Sequence, residues 1–401
     1  MGDKSLGNKL DGAGQLSVDA VLGVLDLVEE AHQSVLSMGG LLNRGDLTRT
    51  SGMTGSVYQK IRQAAGLAGY FLESLLAQIS PKLKDLPDSA RREALIAVIN
   101  GVVGDHLARS ANPLAVTMHW SSRNKFITDD GLADLKRQTK VILFIHGSCM
   151  NDSCWQRSGY DYGRSLAEAY GYQPIYLNYN SGLHISENGR ELAMKLAELL
   201  GSGSSIKELG IVGHSMGGLV ARSACYYGAV FGHSWLQHLK TMIFLGTPHH
   251  GAPLEKIGNQ LNSVFQCIPH AAPFTRLSKI RSAGVTDLRY GNIKDQDWQG
   301  VDRFARRGDR RQPVKLPQDV LCLAIAATVS QSPKAIGDLL LGDGLVTVQS
   351  ALGRHPRKQK DLGLPPSHQQ ILRGCNHMDL LGHREVLQTL LKWFADLACR
   401  A

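Results

Sequence analysis

Short apolar runs alternating with helical stretches constrain this chain most, because few architectures accept that rhythm. Leu114 to Trp120 reads as a strand, and compact apolar runs follow at Val141 to Ile145, Pro174 to Tyr179, Leu209 to Val212, Met242 to Leu245 and Val320 to Ala326. Tyr162 to Tyr170, Glu187 to Leu200, Met216 to Val230 and Arg384 to Ala398 read as helices. Strands alternating with helices predict an α/β fold with a mostly parallel central sheet, covered by helices on both faces.

The first 112 residues differ. Val18, Val21, Leu22, Leu25, Val28, Val35 and Leu36 recur at helical spacing behind Ser17. A second stripe runs from Val57 to Ile79 and stops at Ser80-Pro81, and a third helix is expected after Asp88. We therefore divide the chain into a helical N-terminal extension (1–112) and an α/β domain (113–401). Between Thr247 and Val320 the alternation lapses for longer than an α/β connection requires, with Pro248, Pro253, Pro269, Pro273, Pro313 and Pro317 inside it. This stretch, at about 248–318, is read as a cap or lid over a site.

Composition narrows the class. Among 401 residues, 43% are hydrophobic, which is enough for a sizeable core, and no apolar run approaches the ~20 residues of a membrane span. The start lacks a basic segment followed by an apolar one, so the expectation is a soluble, cytoplasmic protein. Seven cysteines without metal spacing argue against a disulfide framework and imply no metal. The formal charge is +9, with basic runs at Arg303 to Arg311 and Arg354 to Lys360. Such runs are compatible with peripheral contact at the inner, anionic face of a membrane, although solvated loop charge is the simpler reading. Neither run is interleaved with aromatics for stacking on bases, so no nucleic-acid partner is expected. The oligomeric state is not legible.

The chemistry centres on Gly213-His214-Ser215-Met216-Gly217, which lies between a strand and a helix. A G-x-S-x-G turn lifts a serine hydroxyl clear of the sheet as a candidate nucleophile. Serine needs a histidine to take its proton and a carboxylate to hold that histidine's tautomer, in the chain order Ser, Asp, His. Asp343 lies between Gly342 and Gly344 after the Val320 to Ala326 strand, and His377 follows the strand-like Gln370 to Arg373. Asp338 and Asp379 compete for the acid role, and His214, His249, His250 and His383 for the base. Asp379 reads more simply as a cap of the last helix. The oxyanion of a tetrahedral intermediate needs two backbone N–H donors. Met216 is one, and Ser148, or failing that Cys149, is the other, in the loop that follows Phe144-Ile145-His146-Gly147. His146, Cys149, His214, His249 and His250 are candidates to line the substrate pocket. The reaction requires no cofactor.

His146-Gly147, the serine turn, Leu245-Gly246-Thr247-Pro248-His249-His250-Gly251-Ala252-Pro253, Asp343-Gly344-Leu345-Val346 and His377 together resemble α/β-hydrolases of the lipase and GPI inositol-deacylase-like group, over about residues 138 to 396. The segment beginning Leu245-Gly246-Thr247-Pro248-His249 is more specific than the serine turn. The resemblance implies an α/β-hydrolase fold and a carboxylic-ester hydrolase acting on lipid-like acyl esters, with Ser215, Asp343 and His377 as its triad. It supports Ser148 as an oxyanion donor, with Asp152 and Trp155 shaping that loop. The chain departs from secreted lipases in having no calcium-site pattern and no secretion signal. Two other classes stay open: a non-hydrolytic scaffold that binds a protein or membrane partner on the same fold, and a serine peptidase or amidase. Acyl length and head group are not written in the sequence.

Overall fold

A computed structural model describes residues 90–122, 125–252, 282–300, 308–331 and 342–399. The stripes at Ser17 to Leu36 and Val57 to Ile79, Asp338 and much of the expected cap lie outside the described residues.

Among the described residues, eight strands build the sheet: β1 (His119–Ser122), β2 (Lys125–Phe126), β3 (Lys140–Ile145), β4 (Gln173–Asn178), β5 (Glu208–His214), β6 (Leu239–Leu245), β7 (Leu321–Thr328) and β8 (Gln369–Arg373). Their order is β8-β7-β6-β5-β3-β4-β1-β2. All neighbours from β8 to β4 run parallel, and β1 is antiparallel to β4 and β2. This is the mostly parallel α/β sheet that the alternating runs predict. The first strand lies further along than expected, because only His119 to Ser121 reach the ladder of β4.

The helices are α1 (Ala90–Arg109), α2 (Asp129–Lys136), α3 (Tyr162–Tyr170), α4 (Ile185–Leu199), α5 (Met216–Val230), α6 (Ala283–Asp287), α7 (Val348–Ala351) and α8 (Arg384–Ala398). Local chemistry sets their ends. The Asp161 carboxylate accepts from the Arg164 N–H at the start of α3, and Gly171 takes a left-handed φ of 71° at its end. Alternate residues of one strand serve opposite faces, as a parallel sheet buried on both sides requires. Val141, Leu143 and Ile145 pack into one core with Val98, Leu107, Leu192 and Leu219 of α1, α4 and α5. Ile142 and Phe144 pack into another with Leu166, Leu390 and Phe394 of α3 and α8. Each fully buried side chain of this size contributes roughly 1.5–3 kcal/mol.

The third helix expected in the N-terminal extension is α1, and it belongs to the core of the sheet. Gly101 and Gly104 on α1 allow close approach, since a Cβ on either would collide with Cys149 or Asn180. Within the expected cap, Asp287 accepts from His184 Nδ1 at 2.9 Å, Arg190 bonds Asp295, and Trp298 stacks on His184 with ring centroids 3.6 Å apart. The stretch 282–300 is therefore fastened to α4. Among the described residues, no helix is long and apolar enough to cross a membrane.

Candidate active site

Ser215 stands between β5 and α5 with φ 52° and ψ −123°, a backbone conformation that a side chain rarely adopts. The turn is held from several sides. The Ser215 N–H donates to the Leu245 carbonyl at 2.8 Å, and the flanking glycines leave no room for a side chain. A Cβ on Gly217 would lie 2.2 Å from the Ile145 carbonyl oxygen, and one on Gly213 would lie 2.5 Å from Gly218 Cα. The two glycines of the motif are thus required by the close approach of β3 and of the helix start. Ser215 keeps partial exposure while His214 and Met216 are buried.

Asp343 and His377 meet. His377 Nδ1 lies 2.7 Å from Asp343 Oδ2, and the His377 N–H donates to the Asp343 carbonyl at 3.1 Å. The other carboxylate oxygen of Asp343 accepts from the N–H groups of Leu345 (2.9 Å) and Val346 (2.8 Å), so the turn that follows β7 aims the side chain. Both residues are buried, and among the described residues His377 Nε2 has no hydrogen-bond partner. The His377 ring lies close to two neighbours of the serine turn. It approaches Gly246, next to the carbonyl that holds Ser215 N, and its centroid lies 4.7 Å from that of His214.

The loop after β3 borders the serine. A Cβ on Gly147 would lie 3.1 Å from Ser215 Cβ and 3.4 Å from Met150 Sδ. The Cys149 N–H donates to Ser181 Oγ at 3.0 Å, so this amide is already engaged and Ser148 is left as the loop's candidate donor. Cys149 has φ 61°, and its thiol is buried beside the position of Gly101, with burial pushing its pKa up to about 12. Met216 opens α5, where the first N–H groups lack intrahelical partners.

The other histidines are fixed by structure. His146 stacks on Tyr179 with centroids 4.4 Å apart, its Nδ1 lies 2.8 Å from the Gly147 carbonyl oxygen, and burial lowers its pKa to about 4. His214 packs edge-on to Trp155 and places Nε2 3.2 Å from the His377 carbonyl oxygen, with burial holding its pKa well below the usual value. His249 is buried beside Phe244 and lies 3.3 Å from Arg222, and burial again depresses its pKa. His250 Nε2 lies 3.0 Å from the Gly353 carbonyl oxygen. These last two line a cavity of about 30 Å³ with Arg222 and Arg311.

Asp379 receives the Asn376 N–H at 2.8 Å and so closes the turn that carries His377, while the cap of α8 is His383, which accepts from Glu385 N–H at 3.2 Å. The expectation that Asp379 caps the last helix is corrected. Sequence reasoning missed Ser181, which holds the loop amide, and Tyr179, whose hydroxyl donates to the His146 carbonyl at 2.8 Å. Their position just after β4, at the carboxyl edge of the sheet, is the signal that could have found them.

Residues 136–315 match the PGAP1-like alpha/beta domain. That match spans less than half of the chain, and it is in this part that the chain is similar to α/β-hydrolases of the PGAP1-like group. No curated protein matches the chain. Solved structures similar to it include the mature lipase BlEst2 of Bacillus licheniformis, at 18% identity and a TM-score of 0.40, covering 70% of this chain and 98% of that one. A hyperthermophilic esterase from Pyrobaculum calidifontis is similar at 13% identity and a TM-score of 0.38, covering 81% and 96%. The lin2722 product of Listeria innocua is similar at 19% identity and a TM-score of 0.37, covering 64% and 94%.

Proposed function

We propose that this α/β-hydrolase cleaves carboxylic esters through an acyl-enzyme on Ser215. The observation that carries the reading is the buried Asp343–His377 pair at 2.7 Å, which among the described residues leaves His377 Nε2 unpartnered. In this reading His377 Nε2 takes the Ser215 proton as Oγ attacks the acyl carbonyl. The N–H groups of Met216 and Ser148 receive the oxyanion, each donor being worth about 3 kcal/mol. His377 then protonates the leaving alcohol and next activates the water that releases the acid, while Asp343 keeps Nδ1 protonated and stabilises the imidazolium. Lipid-like acyl esters are the class implied by the resemblance of the sequence. Peripheral contact with an anionic surface stays within the proposal through exposed Arg357 and Lys358. Two other members of that basic run are engaged, Lys360 with Asp309 at 2.6 Å and Arg354 with Gln369 at 2.7 Å.

A panel of p-nitrophenyl esters and matched anilides tests the reaction class. Esters should be hydrolysed with a burst of nitrophenol and anilides cleaved far more slowly, and Ser215→Ala should abolish both. Preferential anilide cleavage would move the reading to an amidase. Inertness across the panel would favour a binding scaffold.

A further inference from the structure

A cavity of about 440 Å³, within the roughly 300–1,000 Å³ typical of small-molecule sites, opens beside the loop after β3. Ile96 and Ala97 of α1, Val116, Phe126 and Met150 form its apolar wall, and at its polar end Ser121, Asp152 and Asn178 meet. His146 and Met150 belong both to this lining and to the loop that touches Ser215, Met150 Sδ being 3.4 Å from the Gly147 Cβ position that itself lies 3.1 Å from Ser215 Cβ.

Topology decides which half of an ester points here. His377 must protonate the leaving oxygen, so the alcohol lies on the flank of β6, β7 and β8, where Asp343 and His377 are delivered. The acyl group is then directed to the opposite flank, built by β3, β4 and β1, and that is where the cavity lies.

The polar end is only partly satisfied. Ser121 Oγ donates to Asp152 Oδ2, Asn178 Nδ2 donates to Ser121 Oγ at 3.4 Å, and the Asp152 N–H donates to Asn178 Oδ1 at 3.0 Å. Among the described residues the buried Asp152 carboxylate receives this one side-chain hydrogen bond and no cation, although an ionised carboxylate offers about four acceptor positions. An unsubstituted alkyl chain filling the cavity would strip water from these groups and return nothing to them.

We propose that this cavity is the acyl subsite of the hydrolase and that it selects acyl groups carrying a hydrogen-bond donor, which Asp152 receives. The inference rests on the ester-hydrolase reading of Ser215. The wall from α1 and Val116 comes from upstream of the matched residues 136–315, whereas Asp152 lies within them, so the subsite joins the matched domain to the chain's own N-terminal part.

The test uses the full chain and p-nitrophenyl esters of two to eight carbons, plain, ω-hydroxylated and ω-aminated, with a small fluorophosphonate as a separate probe of Ser215. Within the longer esters, a hydroxyl or amino group should raise kcat/KM at least tenfold over the plain chain. Ala97→Phe, which fills the wall, should lower the ratio of kcat/KM for that ester over the acetyl ester by at least tenfold. Phe126→Ala, at the exposed mouth, should raise KM for it several-fold without the folding risk of a core change. Plain chains preferred over both substituted series, or ratios within twofold of the wild type in both variants, would overturn the subsite. Failure of the fluorophosphonate to label Ser215 would instead overturn the ester-hydrolase reading beneath it.

Discussion

The proposed chemistry depends on Ser215 and on a pair, Asp343 and His377, that lies more than a hundred residues further along the chain and that the fold joins by a hydrogen bond. Asp343 is held by two backbone N–H donors and faces His377 Nδ1, so in the proposed reaction it fixes a tautomer as well as supplying charge. Asp343→Asn should keep the fold but present an amide that favours the wrong tautomer, lowering kcat by about 10⁴-fold. Steady-state kinetics checks this, and unchanged turnover would return the acid role to Asp379 or Asp338. The pairing of Asp343 with His377 was legible because the order Ser, Asp, His expected of a serine hydrolase coincides with three strand ends. Engagement of the Cys149 amide by Ser181 was not legible, because a choice between adjacent N–H donors depends on a contact across the sheet edge.

Among elements, α8 carries the serine site more than its distance in sequence from Ser215 implies. Tyr162 at the start of α3 donates to the Leu380 carbonyl at 3.1 Å and accepts from the His383 N–H at 2.9 Å, pinning the segment between His377 and α8. Phe394 of α8 is buried against the sheet, edge-on to Tyr172 with centroids 5.0 Å apart. Phe394→Ala should cost about 3–5 kcal/mol in unfolding free energy. Denaturant unfolding reads the loss, and a change below about 1 kcal/mol would contradict the packing described. The bounds of α3, α5 and α8 were readable because each has a compact apolar stripe between turn residues. The first strand was misplaced towards the N-terminus, since Leu114 and Met118 are apolar for burial against the core and not for ladder pairing.

At the scale of the whole molecule, burial of neutral histidines ties stability to pH. His146, His214 and His249 are buried, and burial lowers the pKa of each, that of His146 to about 4. Below the ordinary value near 6.5 the unfolded chain binds protons that the folded chain refuses, so stability falls as the solution is acidified. For His146 alone the loss is about 2 kcal/mol at pH 5, and it is complete below about pH 4. Urea midpoints at pH 7 and pH 5 should show the decrease, and an equal or higher midpoint at pH 5 would contradict it. This dependence was invisible in the sequence, where His146, His214 and His249 carry no mark of burial. The most direct measurement of the central claim is intact-mass and peptide analysis after exposure to a fluorophosphonate: one adduct should form on the peptide containing Ser215 and vanish in Ser215→Ala, whereas an unmodified wild type, or an adduct on another residue, would contradict the account.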